Sequence, residues 1–391
     1  MFIFSEDPPL KYKGHGLSVL LYNLFYNSGV EIEKWFTFLS SGNIYADDIL
    51  IDSDINFKIL DTTPIFGFLR KSSKVNLFYN QLLFLLFLPS IIITLRKQPT
   101  KPVFIPIGAS AHILYKICVL KLFTINPIWI YVVDDLNEIS ARQNQSLNKI
   151  LCNLFLKKTF KVSQRIYAIT DRLATIIGET SGKEVDVILP CFQKVDAIKK
   201  ELSIRTNRKF TFVFTGGLNF LYNDSLKQFS DFLNRLEEES TEQFLLIIQT
   251  YSSREEFNKI GFTGSNVEYR TSENRSDLYK TYQEADAFIV PYSFDQENYT
   301  MISTSFPQKI AQIIQLGIPI VVFGPPYGSV VDFFKKKEID YIIDQNDYRL
   351  FKSVTLKLLY RNADPTDTFR YLEVYESSFS QKACLSQLLK I

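Results

Sequence analysis

Cysteine and histidine are scarce. Four cysteines, Cys118, Cys152, Cys191 and Cys384, lie far apart with no CxxC pair, and the 391 residues contain only two histidines. That spacing offers neither a disulfide framework nor the ligand set of a zinc site, and a reducing, cytoplasmic location is expected. Glycine and proline, 15 each, are too few for a collagen-like or low-complexity chain. No charge sign dominates either: 44 Lys and Arg against 42 Asp and Glu leave +2, so no nucleic-acid partner is expected. Long apolar runs are missing too. The longest, Leu82 to Leu95, is broken by Pro89 and falls short of the roughly 20 residues that cross a bilayer, and it reads as a core helix. The opening Met1-Phe2-Ile3-Phe4-Ser5 leads straight into acids and prolines, so neither a signal peptide nor a membrane span is expected.

What is present is an alternation of short β-rich runs with helical-period segments, the pattern of parallel sheets covered by helices. In the first half, strands are expected at Met1 to Ser5, Glu33 to Leu39, Lys58 to Leu60, Val103 to Ile107, Trp129 to Val133, Arg165 to Ile169 and Val185 to Leu189. Helices fall near Leu17 to Tyr26, Asn76 to Arg96, Ala111 to Lys121, Leu147 to Thr159 and Thr170 to Ser181. A polar, basic stretch from Gln193 to Lys209 marks a boundary. Strands then resume at Phe210 to Thr215, Phe244 to Thr250, Val267 to Tyr269, Ala287 to Pro291, Ile318 to Phe323 and Asp340 to Ile343. The expected architecture is α/β: two doubly wound, Rossmann-like domains at 1–192 and 193–367 facing each other across a cleft. A helical tail, 368–391, has no following strand and is free to cross back to the first domain. Charge is divided unevenly, with fifteen basic residues against four acidic ones between Arg70 and Arg172, while the part after Asp196 is slightly acidic.

Three loops carry the chemical signal. Gly14-His15-Gly16 precedes the helix opening near Leu17, and paired glycines at a helix start let backbone N–H groups approach a ligand. Thr215-Gly216-Gly217 repeats that placement at the end of the strand Phe210 to Thr215. No GxGxxG accompanies it and no GxxxxGK[ST] occurs anywhere, which disfavours dinucleotide and P-loop sites. The third stretch runs from Asp286-Ala287-Phe288-Ile289-Val290-Pro291 through Ser303-Thr304-Ser305-Phe306-Pro307-Gln308-Lys309 to Leu316-Gly317-Ile318-Pro319 and Gly324-Pro325. It reads as strand, loop, a helix opened by hydroxyls with Pro307 in its first turn, and a further buried strand. Hydroxyls, free N–H groups and Lys309 together suit a diphosphate, although a plain capped helix would present the same residues.

That order of residues resembles the donor-binding domain of GT-B nucleotide-sugar glycosyltransferases, close to glycosyltransferase family 4, most clearly from about Phe210 to Pro326 and more loosely before it. The resemblance implies a nucleoside-diphosphate sugar held by the second domain, a glycan or lipid-linked glycan acceptor held by the first, transfer with retention, and neither cofactor nor metal. It places Thr215, Gly216, Gly217, Arg270, Ser303, Thr304, Ser305, Phe306, Pro307 and Gln312 around the donor, with Arg275 as a second possible cation beside Arg270. Lys309 and His112 become the catalytic candidates. Gly14, His15, Gly16, Asp134 and Asp135 fall on the acceptor side. The pair of acids that many relatives carry is replaced by Thr304 and Gln312, and the cations that follow the first glycine loop of the donor domain are replaced near Leu218 and Tyr222. Lys309 is left as the leading partner of the departing diphosphate.

Several readings stay open on the residues themselves. Asp134-Asp135 end an apolar strand, where they suit either an acceptor hydroxyl or the cap of the next helix. A GT-B epimerase and a non-catalytic partner subunit share the same pattern. Helices around Ile113 to Phe123 and Ile150 to Lys161 mix apolar residues with lysine, so an anionic membrane surface is a second candidate partner, at the inner face of the membrane.

Overall fold

A computed structural model describes residues 1–10, 16–38, 57–60, 73–142, 146–194, 209–271, 275–360 and 365–390. The chain divides into two compact units, Met1–Cys191 together with Gln381–Ile391, and Phe192–Ser380.

The first unit runs β1 (Phe2–Ser5), α1 (Gly16–Phe25), β2 (Lys34–Phe38), β3 (Phe57–Leu60), α2 (Ser73–Arg96), β4 (Val103–Ile107), α3 (His112–Phe123), β5 (Ile128–Val132), α4 (Leu136–Arg142), α5 (Ser146–Val162), β6 (Arg165–Ala168), α6 (Asp171–Ser181) and β7 (Asp186–Val187). Its seven strands are all parallel, in the order β3-β2-β1-β4-β5-β6-β7. Every residue of β4 is buried, as expected of an apolar run covered on both faces. Right-handed crossovers put α2, α3, α5 and α6 on one face of this sheet and α1 on the other. The contacts agree, since α3 touches both α2 and α5, and α5 touches α6. Ends are locally encoded: Thr170 caps α6 by accepting from the Leu173 N–H, and Gly182 closes it in the left-handed region.

The second unit runs β8 (Phe210–Thr215), α7 (Asn223–Glu239), β9 (Phe244–Thr250), α8 (Arg254–Ile260), β10 (Val267–Thr271), α9 (Arg275–Glu284), β11 (Ala287–Pro291), α10 (Tyr299–Thr304), α11 (Lys309–Ile314), β12 (Ile320–Phe323), α12 (Ser329–Lys336), β13 (Ile342–Ile343), α13 (Tyr348–Tyr360) and α14 (Pro365–Val374). The sheet order is β10-β9-β8-β11-β12-β13, again all parallel. In both units the strand order reverses once, between β1 and β4 and between β8 and β11, which is where ligands of doubly wound sheets bind.

The core of the second unit is rich in phenylalanine. Phe210, Phe212 and Phe214 alternate onto one face of β8, and Phe212 meets Phe229 of α7 edge to face at 5.1 Å. Phe214 is the last rung of that ladder, and its position matters for the site.

The single helix expected around Ser303 to Ile310 is instead two short ones. Proline at 307 disfavours the helical region for Phe306, so α10 stops at Thr304, Ser305 is extended (φ −93°, ψ 152°), and α11 restarts at Lys309. After α14 and a wide turn at Tyr375–Phe379 comes α15 (Gln381–Leu389), which belongs to the first unit. It packs beside α1, the Gln381 amide donates to the Tyr26 carbonyl at 2.7 Å, and the Tyr167 hydroxyl donates to the Leu388 carbonyl at 2.7 Å.

Candidate functional site

The carboxyl end of β8 delivers Thr215, Gly216 and Gly217 beside the switch point of the second sheet. Lys309, at the start of α11, reaches that turn from 94 residues away: its Nζ donates to the Thr215 carbonyl at 2.9 Å. The ammonium also lies over the Phe214 ring at 3.9 Å and the Tyr222 ring at 4.6 Å. The side chain as a whole is half-buried, but its charged end is enclosed by these rings, and burial pushes its pKa down to about 7. Desolvation is the sole cause of that shift, so no carboxylate among the described residues holds the charge. Tyr222 is itself pushed up to about 12 by burial. An ammonium kept by aromatic faces and one carbonyl, with no acid beside it among the described residues, is suited to an incoming anion.

Gly216 sets the approach. Its φ of +134° is strained for any residue with a side chain, and a Cβ there would stand 3.3 Å from Lys309 Nζ. Gly216→Ala is expected to cost about 1–3 kcal/mol in thermal or urea unfolding and to weaken anion binding by pushing the ammonium aside. An unchanged melting temperature would show that the turn relaxes without strain.

The other donor-side candidates divide. Ser303 and Thr304 are buried at the end of α10 and donate back to the Thr300 carbonyl at 3.0 and 2.7 Å, and Ser305 donates to the Met301 carbonyl at 2.5 Å. Their hydroxyl protons are thus spent within the helix rather than offered at a helix start, which corrects the expected cradle of hydroxyl donors. Phe306 packs against Phe333 and Phe379 at 5.4 and 5.9 Å, so it serves as a core anchor, and Pro307 breaks the helix just before Lys309. Gln312 is half-buried and its amide makes no hydrogen bond with the described residues. Arg270 is not brought to Lys309: it sits on the edge strand β10, where Glu284 grips its fork at 2.7 and 2.9 Å and Glu268 accepts at 2.6 Å. Two acids hold its pKa above the ordinary value and leave it little appetite for a phosphate. The side chain of Arg275 lies outside the described residues.

In the first unit, Gly14 and His15 lie outside the described residues and Gly16 is the first residue of α1. Asp135 takes the capping role, accepting from the Asn137 and Glu138 N–H groups at 3.0 and 3.3 Å at the start of α4. Asp134 has no such duty. Its carboxyl makes no hydrogen bond with the described residues, and burial, with the Asp135 charge adding, pushes its pKa up to about 6. It lines a cavity of about 30 Å³ with Val132, Leu173 and Ile177, room for about one water.

His112 is buried at the start of α3, and burial holds its imidazole below the ordinary value, against the pull of Glu6. It makes no side-chain hydrogen bond with the described residues. Beside it lies a pair that the sequence did not signal: Lys116, 1% exposed, donates to Glu6 at 2.9 Å across 110 residues. Glu6 follows β1 and His112 follows β4, so this charged cluster marks the switch point of the first sheet. Among the described residues, no three His, Cys, Asp or Glu converge as a metal site would require.

No known family model matches the chain, and no curated protein matches it in sequence. Solved structures do match. The complex of Anabaena Alr3699/HepE with UDP and glucose has a TM-score of 0.61 at 13% identity, over 100% of this chain and 98% of that one. Trehalose-6-phosphate synthase OtsA gives 0.63 at 12%, over 100% and 99%. A Thermobaculum terrenum O-GlcNAc transferase gives 0.57 at 10%, over 100% and 66%. These likenesses show the fold: two Rossmann-like domains of the GT-B type.

Proposed function

We propose that this chain is a glycosyltransferase that moves a sugar from a nucleoside-diphosphate donor to a hydroxyl of a glycan or lipid-linked glycan, with retention. The observation that carries the reading is the Lys309 ammonium, held beside Gly216 by two rings and a carbonyl with no carboxylate among the described residues. As the sugar–phosphate bond breaks, negative charge collects on the leaving diphosphate, and a cation already stripped of water stabilises it more strongly than a hydrated one. Gln312 is assigned to the ribose, to which an amide can both donate and accept. Asp134, in the first unit, is assigned to the acceptor hydroxyl, and His112 to a sugar or phosphate oxygen. An epimerase would require a carboxylate beside the donor sugar, and no acid among the described residues contributes to the electrostatics of Lys309.

Uridine donors come first in the test, because HepE binds UDP and glucose and the E. coli trehalose-6-phosphate protein binds UDP-2-fluoroglucose. UDP, GDP and ADP are titrated calorimetrically at about pH 8 in buffers of differing ionisation enthalpy. Because burial pushes the Lys309 pKa down to about 7 and a bound diphosphate raises it, binding is expected to take up as much as about one proton. Binding with no proton uptake removes Lys309 from the donor site. No binding by any of the three, together with a co-purifying transferase that depends on this chain, would replace the enzyme with a non-catalytic partner.

A further inference from the structure

We propose that the outward face of α2, α3 and α5 in the first unit docks on an anionic lipid surface. The run Leu82 to Leu95, expected to be a core helix, is buried on one side only. Leu83, Phe84, Ile91 and Leu95 face the core, whereas Leu82, Leu85, Leu86 (61% exposed), Pro89 and Ile93 form an open stripe at helical spacing. Leu147, Ile150 and Leu154 repeat the stripe on α5, and Leu122 (78% exposed), Phe123 and Ile125 crown the end of α3 between them. The C-terminal ends of α2 and α3 are tied together where Arg96 donates to the Phe123 carbonyl at 3.1 Å. Ten of the fifteen large apolar side chains exposed among the described residues lie in this one layer, a concentration that water alone does not favour.

Charge identifies the occupant. The sequences of α2, α3 and α5 contain no Asp or Glu. Arg96, Lys149, Lys157, Lys158 and Lys161 are exposed, and none of them pairs with a carboxylate among the described residues. Elsewhere lysines and arginines are commonly matched, as in Lys227–Asp231, Lys335–Asp344 and Lys352–Glu239. An acid-free layer of cations around open leucine and isoleucine fits phosphate headgroups over acyl chains. A nucleic acid would use the cations but leave the aliphatic stripes in water. Among the described residues no helix is long and apolar enough to span a bilayer, so the attachment is to its surface.

The proposal stands apart from sugar transfer, and its test needs no donor. The full chain is sedimented with phosphatidylcholine vesicles with and without phosphatidylglycerol, at low and high salt. Co-sedimentation is expected only with phosphatidylglycerol and is expected to fall with salt. Lys157→Glu with Lys158→Glu is expected to weaken it at least about 30-fold. Leu85→Ser with Leu86→Ser is expected to weaken it about 10-fold or more through the acyl contact. All four positions are exposed, and unchanged circular dichroism and melting verify that the variants fold. The proposal is overturned if the wild-type chain stays in solution with anionic vesicles, or if either pair of substitutions has no effect. It is also overturned if light scattering shows a dimer that Leu85→Ser with Leu86→Ser dissociates while vesicle binding is absent.

Discussion

Lys309→Met is expected to lower sugar transfer by about 100-fold or more and, at neutral pH, to make the protein more stable. The first effect is the usual scale for removing one group that stabilises transition-state charge. The second follows from linkage. Burial lowers the Lys309 pKa from the ordinary range near 10.4 to about 7, so the unfolded chain binds more protons between those values and stability rises with pH across that window. Below about pH 7 the cost of keeping the ammonium dry is present in full. A shift of that size corresponds to a cost on the order of a few kcal/mol. A methionine of similar length therefore gains a few kcal/mol near pH 6 and almost nothing above about pH 10.5. Thermal melts of both proteins across that range, beside a transfer assay, check the two claims together. Loss of stability at every pH would mean that Lys309 is a structural bolt rather than a waiting cation.

Asp134→Asn is expected to behave in the same paired way from the acceptor side. A carboxyl raised to about 6 has a folded pKa above its unfolded value, so the stability it contributes is present below about pH 4 and is lost as pH rises through about 6. The amide removes that loss, and the variant should melt higher than the wild type at about pH 7.5 and no higher at about pH 4. Transfer is expected to fall about 100-fold, because an amide cannot take a proton from a hydroxyl, and the acidic limb of the rate profile near pH 6 should vanish. Unaltered transfer would return Asp134 to the scaffold and leave the acceptor to His112 and the Glu6–Lys116 cluster. Groups that lower stability while raising rate belong to function, since packing alone would have replaced them.

The adjacent Asp135 shows how closely scaffold and site can sit. One carboxylate caps α4 and the next has no partner among the described residues, although in sequence the two are an indistinguishable pair. Ser303 to Ser305 show the converse. Three hydroxyls before a lysine read as donors waiting for phosphate, yet the backbone restriction imposed by Pro307 ends the helix at Thr304, so they close a helix rather than open one and each hydroxyl turns onto its own preceding turn. Arg270 read as a spare cation until the strand order placed Glu284 within reach of its fork. Tyr222, noted in sequence only as the place where a cation was lacking, is one wall of the cage that holds Lys309.

The sequence by itself determined the thirteen strands of the described residues, the two doubly wound sheets and the glycine turn at the end of β8, because apolar period, turn residues and helix breakers act over a few neighbouring positions. Only the tertiary structure decided that Lys309 meets Phe214 and Tyr222, that Glu6 meets Lys116, and which half of Leu82 to Leu95 faces water. Those outcomes depend on sheet order and on helices laid side by side, which bring together groups as far as 110 residues apart, and no local pattern records such a distance.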